Sequence, residues 1–550
     1  MLSLEQNKWL ARTVQMLAVL AVGALALLRA DEATASVNIP LHHWTYEAIE
    51  RLTDLGVIDK AMLATKPYSR KEAARYVARA LERVRHDQVA ADGTEVIAQP
   101  LLERLMREFR PELIGLNALT PTKEDKVRAV RYGGAVTTEV DGFFVGGGQT
   151  VRLRENRGGE YYANGAINQT DVRGWMELGD WVTATFQPKF ISDNRILGLG
   201  ATENSKNIYI REGSLKLSHY NVSFEIGRGT QWWGQGYRGT LLLSDHAYPL
   251  DMIKLYSEEP FKIPWLEGLG DWKVHSFLTR LEANRDFERA KVFGLRITYL
   301  PTDWLELGVA RLTQYGGKGH EDGFMSPVFA TYFRNPGGQN TTGGGKNDVN
   351  DQAMIDARFR IPKVPWLVPF PAGMQLYMEI GFEDRIDHPA GLVGFYIPQV
   401  FRGDTLDFRF EFADTDWEQQ VNGQSGTWYN NGIFTSGMRY RGYPLGHWVG
   451  TDGIVFTGRT TRKFGEQFIV GLHSEYSDRQ RTLPVHEKKR EAGIDLTYLF
   501  SDKIQFTVNY TYQNIKNPGQ ITAITPFTET FAPNTTANNN FVWTTLAIEF

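Results

Sequence analysis

The chain has no cysteine in its 550 residues. That excludes disulfides, a thiol nucleophile and thiolate metal sites, and it leaves no redox signature. An excess of one charge is also missing. Lys+Arg 60 against Asp+Glu 64 gives a net charge of −4, so no basic surface is offered to nucleic acid. Beyond the N-terminus there is no long apolar run, so helices do not hold the mature chain in a membrane. Strands need no such run, because a barrel strand is apolar on one face only. No Gly-x-Ser-x-Gly and no His-Glu-x-x-His stands out, and His42-His43 beside Trp44 reads as a turn, not a metal ligand pair. A glycosidase needs two carboxylates at a defined separation, one of them with a raised pKa. Here the carboxylates alternate with arginine, which acts in the opposite direction. The expectation is a protein without catalytic residues, metal or cofactor.

What is plentiful is glycine (54 residues) and aromatic side chains (12%), which suits a β protein with many turns. The chain opens with Lys8 and Arg12, then the apolar run Met16 to Leu28, then Ala33-Thr34-Ala35. That is the order of a secretory signal peptide, expected to span 1–35. From Asn38 the period is helical. Trp44, Ala48, Ile49, Leu52 and Leu55 recur on one face and stop at Gly56. A second helix opens at Ser69 with Glu72 three residues on, a capping box, and carries Ala73, Tyr76, Val77 and Leu81 inward. A third is expected from Pro100 to Phe109, with a linker from Pro111 to about Asp125. Residues 36–125 are thus expected to form a small periplasmic helical domain. Trp44 to Leu81 resembles a single S-layer homology motif, with Ser69 in place of the motif's opening threonine. That resemblance implies contact with cell-wall polymer; the competing and preferred reading is a periplasmic helical cap packed on the rest of the protein.

After Val130 the period becomes two. Ile504, Phe506, Val508, Tyr510 and Tyr512 oppose Gln505, Thr507, Asn509 and Thr511. Leu406, Phe408, Phe410 and Phe412 oppose Asp407, Arg409 and Glu411, while Leu376, Met378, Ile380 and Phe382 oppose Glu379 and Glu383. Phe293, Leu295, Ile297 and Tyr299 oppose Arg296 and Thr298. Aromatics at strand ends and the alternating terminal segment ending on Phe550 favour a transmembrane barrel over a soluble sandwich. Residues 126–550 are therefore expected to be mainly β, one large antiparallel outer-membrane barrel. At roughly 20 to 25 residues per strand with its turn, about 18 strands fit. Long polar connections at Gly316 to Asn350, Glu383 to Asp404, Ala413 to Thr435 and Asn514 to Asn540 look extracellular. Short turns such as Leu300 to Asp303 and Phe500 to Lys503 look periplasmic. The inward face carries both signs, at Arg296, Asp356, Arg358, Glu379, Asp407, Arg409, Glu411 and Asp495, as a cross-braced and partly plugged lumen would.

One stretch interrupts the strands. Gly227-Arg-Gly-Thr-Gln-Trp-Trp-Gly-Gln-Gly-Tyr237 is followed by Arg238 and by Leu241-Leu-Leu-Ser-Asp-His-Ala-Tyr-Pro249. Flat aromatic rings beside planar charged groups suit a sugar, whose C–H face stacks and whose hydroxyls meet arginine and carboxylate. The same residues suit a structural role, the arginines bracing the lumen and the tryptophans packing a loop inside the barrel. With the signal peptide, helices and barrel in that order, the motif resembles the Wzi family of capsule-assembly proteins. Gln235 stands where that family usually has proline, and Asp245-His246 replaces a pair of asparagines. The resemblance implies an outer-membrane lectin, plugged by its own loops, that holds capsular or exopolysaccharide on the surface of a Gram-negative cell. Polysaccharide and outer-membrane lipid are then the partners, with the export machinery and cell wall as further ones. It makes Trp232, Trp233 and Tyr237 stacking candidates and Arg228, Arg238 and Asp245 polar candidates. A competing reading is an open porin through which exopolysaccharide itself leaves.

Overall fold

The computed structural model describes residues 35–550 apart from 87–92, 124, 126–129, 150, 180, 198–206, 321–347, 364–367 and 385. The expected signal peptide lies, but for Ala35, outside the described residues. Before the barrel the described residues form helices α1 (Thr45–Asp54), α2 (Arg70–Arg85), α3 (Glu95–Glu108) and α4 (Arg110–Gly115). Their shared core contains Ile49, Leu52, Tyr68, Tyr76, Val77, Leu105 and Phe109. Ser69 caps α2, its hydroxyl accepting the Glu72 N–H at 3.1 Å. The return half of the expected capping box is not made. The fully buried Glu72 carboxylate instead accepts from the Tyr76 hydroxyl at 2.7 Å and the Lys273 ammonium at 2.5 Å, which ties α2 to the barrel wall. Two proline boundaries also move. α3 starts at Glu95 and runs through Pro100, so the ring costs a bond to the preceding turn without ending the helix. Pro111 opens α4 where a linker was expected; in a first turn its missing N–H needs no partner.

From Val130–Phe144 to Thr536–Glu549, eighteen antiparallel strands pair in chain order and the last closes on the first. The seam is completed by Phe550, whose N–H donates to the Gly134 carbonyl at 2.9 Å and whose carbonyl accepts the Gly134 N–H at 3.1 Å. The alternation read from sequence sets the faces. On Met374–Glu383, Gln375, Tyr377, Glu379 and Glu383 are buried toward the lumen while Met378 is 38% exposed on the outside. Val309, Ile355, Val393 and Leu472 are similarly exposed, giving the outer wall an apolar surface suited to lipid. Exposed Trp181, Tyr220, Trp304 and Phe500 sit beside the short turns, as an interfacial aromatic girdle does.

The two ends of the barrel differ. At the end with short turns, called the inner end below, the helices dock. Arg360 of the wall donates to the Thr53 carbonyl of α1 at 2.7 Å, and Arg107 of α3 pairs with Asp502 of a turn. The opposite, outer end carries the long connections. The one expected over Glu383 to Asp404 is not a single loop, because it contains the strand Pro389–Ile397. The lumen face of that strand is Ala390, Leu392, Gly394 and Tyr396, which has no charged residue to mark the alternation. The connection expected at Ala413 to Thr435 runs on to the strand starting at Ile454, and holds a short helix and a two-residue hairpin. Between Ile504–Lys516 and Thr536–Glu549 the chain forms a further hairpin, Gly519–Ile524 with Phe527–Phe531. The connection expected over Gly316 to Asn350 lies mostly outside the described residues.

Candidate functional site

The motif connection leaves Val222–Gly229 at the outer end and returns as Leu250–Ser257, and between them it turns down into the lumen. Its descent is fixed by backbone. The Trp232–Trp233 segment pairs antiparallel with Thr65–Lys66, between α1 and α2, so motif and helices share a two-stranded sheet inside the barrel. Gly234 has φ +142°, and a Cβ there would stand 2.3 Å from Glu379 Oε1. Only glycine allows that approach.

Wall carboxylates grip the connection by its N–H groups. Glu379 accepts from Gly236 and from Leu241, both at 2.8 Å. Glu411 accepts from Tyr237 at 2.5 Å and Arg238 at 2.9 Å, and also from the Tyr377 hydroxyl at 3.1 Å. Gln235, at the family's usual proline position, donates to Asp356 at 3.0 Å. Each is a charge-assisted bond in a buried setting, where orphaned N–H groups would be costly.

The six motif side chains do not converge. Trp233 is 1% exposed and lies against Phe277, ring centroids 5.2 Å apart, within a core that also contains Leu241, Leu242, Trp428, Tyr429 and Trp448. Trp232 is buried and donates to the Gly236 carbonyl at 3.2 Å. Neither tryptophan has an open face for a sugar. Arg238 runs to Glu475 at 2.9 Å, and Asp245, also buried, meets His42 at 2.6 Å. Arg228 pairs with Asp251 on the neighbouring strand at 2.8 Å. Tyr237 alone of the aromatics is half-buried; Arg409 lies over its ring at 4.5 Å, and burial pushes its hydroxyl pKa up to about 12.

The lumen charges are mostly joined to what fills the lumen. Arg296 clamps Asp356 at 2.7 and 3.0 Å and also donates to the Thr65 hydroxyl at 2.7 Å. Arg358 reaches Glu306 at 3.1 Å and the Ala61 carbonyl at 3.0 Å. Arg409 pairs with Glu50 of α1 at 2.8 Å, and Asp407 with Arg51 at 3.4 Å. Glu306 also accepts the N–H groups of Leu63 and Ala64, at 3.1 and 3.0 Å. A second cluster escaped the sequence reading. Lys489 is fully buried among Glu155, Glu475 and Glu491, at 2.9, 2.7 and 3.1 Å, and the Arg152–Glu487 pair is close by in the chain. Glu475 and Glu491 sit on the neighbouring wall strands Phe468–Arg479 and Glu487–Ser501, whereas Glu155 comes from a connection far off in the chain, so sequence does not bring the three together. Burial depresses His447 to about 3 and His246 well below the usual imidazole range, so both are neutral fillers. His43, Glu108 and Glu549 lie with ligand atoms within 4.8 Å of one another, but Arg70 already supplies Glu108 with a cation.

A closed barrel with an apolar exterior and a lumen occupied by its own connections and by the segment between α1 and α2 defines a plugged transmembrane β-barrel. The family model for capsule assembly protein Wzi matches residues 145–523, and the chain belongs to that family. It is similar in fold to the solved structure of Wzi from Escherichia coli, described as an outer-membrane protein involved in group 1 capsule assembly and a carbohydrate-binding β-barrel. The identity is 18% and the TM-score 0.67, covering 93% of this chain and 99% of that one. An uncharacterized 55.8 kDa protein in the cps region of Klebsiella pneumoniae is 26% identical over 297 residues, 53% of this chain and 54% of the relative. The chain thus spans about half the length of that curated relative.

Proposed function

We propose that this protein is an outer-membrane carbohydrate-binding barrel that holds capsular or exopolysaccharide on the cell surface. The filled lumen, in a chain of this family, carries the reading. A pore for a polysaccharide needs a continuous wide path, and here Trp233, Leu241, Trp428 and Trp448 of the connections pack into one buried core with wall residues such as Phe277 and Leu392. The long outer-end connections face outward and meet the polymer, while the helices sit in the periplasm. Weak contacts at each sugar become firm retention when many repeats meet many copies of the barrel. The protein binds without cleaving: Glu379 and Glu411 are engaged by backbone N–H groups, and Asp356 by arginine. We assign Trp232 and Trp233 to packing the plug and keep Tyr237 as the motif side chain available to a ligand.

Deleting the gene and measuring surface-attached against released polysaccharide tests this. Retention predicts polymer that is made and exported but shed into the medium. Polymer lost from both fractions, or trapped inside the cell, would make the barrel an exit path and overturn the reading.

A further inference from the structure

At the inner end, α1 and α3 stand away from the barrel wall around a cavity of about 160 Å³. That is room for about one sugar residue. Trp44 and Arg104 bound it on the helical side, and Tyr396, Arg459 and Lys463 on the wall. The tip of the motif connection closes it with Tyr237. Exposed Glu47 and Val96 mark its mouth, so it opens at the inner rim and not toward the long connections.

The lining has two properties that converge on one ligand chemistry. It is aromatic: Arg104 lies over the Trp44 ring at 3.8 Å, and Arg409 over Tyr396 at 4.1 Å. It is cationic, with five arginine or lysine side chains against three carboxylates. Glu50 and Asp407 are used on Arg409 and Arg51, and Asp495, from outside the lining, holds Arg459 at 2.8 Å. Arg104 has its nearest carboxylate, Asp502, at 4.0 Å, and Asp502 is also held by Arg107.

We propose that this inner-end cavity binds one residue of an acidic saccharide, a hexuronate in the simplest case. The sugar's C–H face lies on an aromatic ring and its carboxylate meets Arg104 and Lys463. The choice of a saccharide rests on the carbohydrate reading above; the preference for an acidic one rests on the lining alone. The site is separate from any contact that polymer makes at the outer end.

The test uses the full chain in detergent micelles, with D-glucuronate as probe and D-glucose as its neutral counterpart, followed by saturation-transfer NMR. Glucuronate is expected to bind and glucose to bind roughly tenfold more weakly or worse, the loss of one charge-assisted contact. Arg104→Gln and Lys463→Gln should each weaken glucuronate by a similar factor. Trp44→Phe shrinks the aromatic wall without removing a charge, so it reports on the site even where an arginine variant disturbs docking. Heat-shifted gel mobility verifies that each barrel is closed. Equal binding of the two sugars, no binding, or glucuronate binding unchanged in all three variants would overturn the proposal. Polymer retention on cells is measured beside it. Retention without glucuronate binding sinks the cavity alone, whereas glucuronate binding without retention sinks the surface reading and leaves the cavity standing.

Discussion

Removing the two wall carboxylates that hold the motif connection should open the barrel. Glu379 accepts two backbone N–H groups and Glu411 two more, all on the segment from Gly236 to Leu241. A hydrogen bond to a charged partner contributes about 1.5–3 kcal/mol, so one Glu→Ala change removes roughly 3–6 kcal/mol from the docking of that segment. The two effects will not add fully, since both act on a single stretch of backbone. Local openings draw on less than the global stability, so the loss is enough to populate an undocked connection while the barrel stays closed. Glu379→Ala with Glu411→Ala should therefore become sensitive to trypsin at Arg238 and show conductance steps in planar bilayers, with heat-shifted gel mobility unchanged. Glu379→Gln should fall between, because its amide accepts one N–H but turns its own donors toward the other. A double variant as protease-resistant and non-conducting as the wild type would show that side-chain packing holds the plug and that these carboxylates do not.

Two further outcomes follow from the same structure. Trp233→Ala empties a fully buried indole site and should cost about 3–5 kcal/mol, read as a lower temperature for the gel-mobility shift; an unchanged temperature would mean the ring is not packed as described. The helical region should dock more firmly in mild acid. Burial raises the Asp54 carboxyl to about 7, against the pull of Arg358 at 3.7 Å, so the folded state holds this proton more tightly than an unfolded aspartate near pH 3.9. The stabilisation is then complete below about pH 4, declines as pH rises, and is gone above about pH 7. Thermal unfolding across that window should show the decline, and Asp54→Asn should flatten it; a parallel slope in the variant would assign the effect elsewhere.

The strands were legible because lipid and lumen impose opposite demands on alternate residues. Leu376, Met378 and Ile380 against Glu379 and Glu383 fix a face and a register together. Where the lumen side of a strand packs on the plug, that contrast disappears. Ala390, Leu392, Gly394 and Tyr396 are apolar or small because they meet other side chains, and the strand reads in sequence as part of a loop. The motif poses a different problem. Aromatic rings, arginines and glycines in close succession are what a sugar site needs, and equally what a loop needs if it is to cross a lumen lined with carboxylates. Local sequence cannot separate the two, since the deciding fact is which wall residues come within reach. Glu379 shows this: as a sequence symbol it is one charge in a network, and in the fold it is an acceptor for Gly236 and Leu241. The part of the motif that points away from the plug core is Tyr237, and it faces a cavity whose other walls, Trp44 and Arg104, lie more than a hundred residues earlier in the chain. A binding surface assembled from a helical domain, a barrel wall and a loop has no single stretch of sequence to announce it.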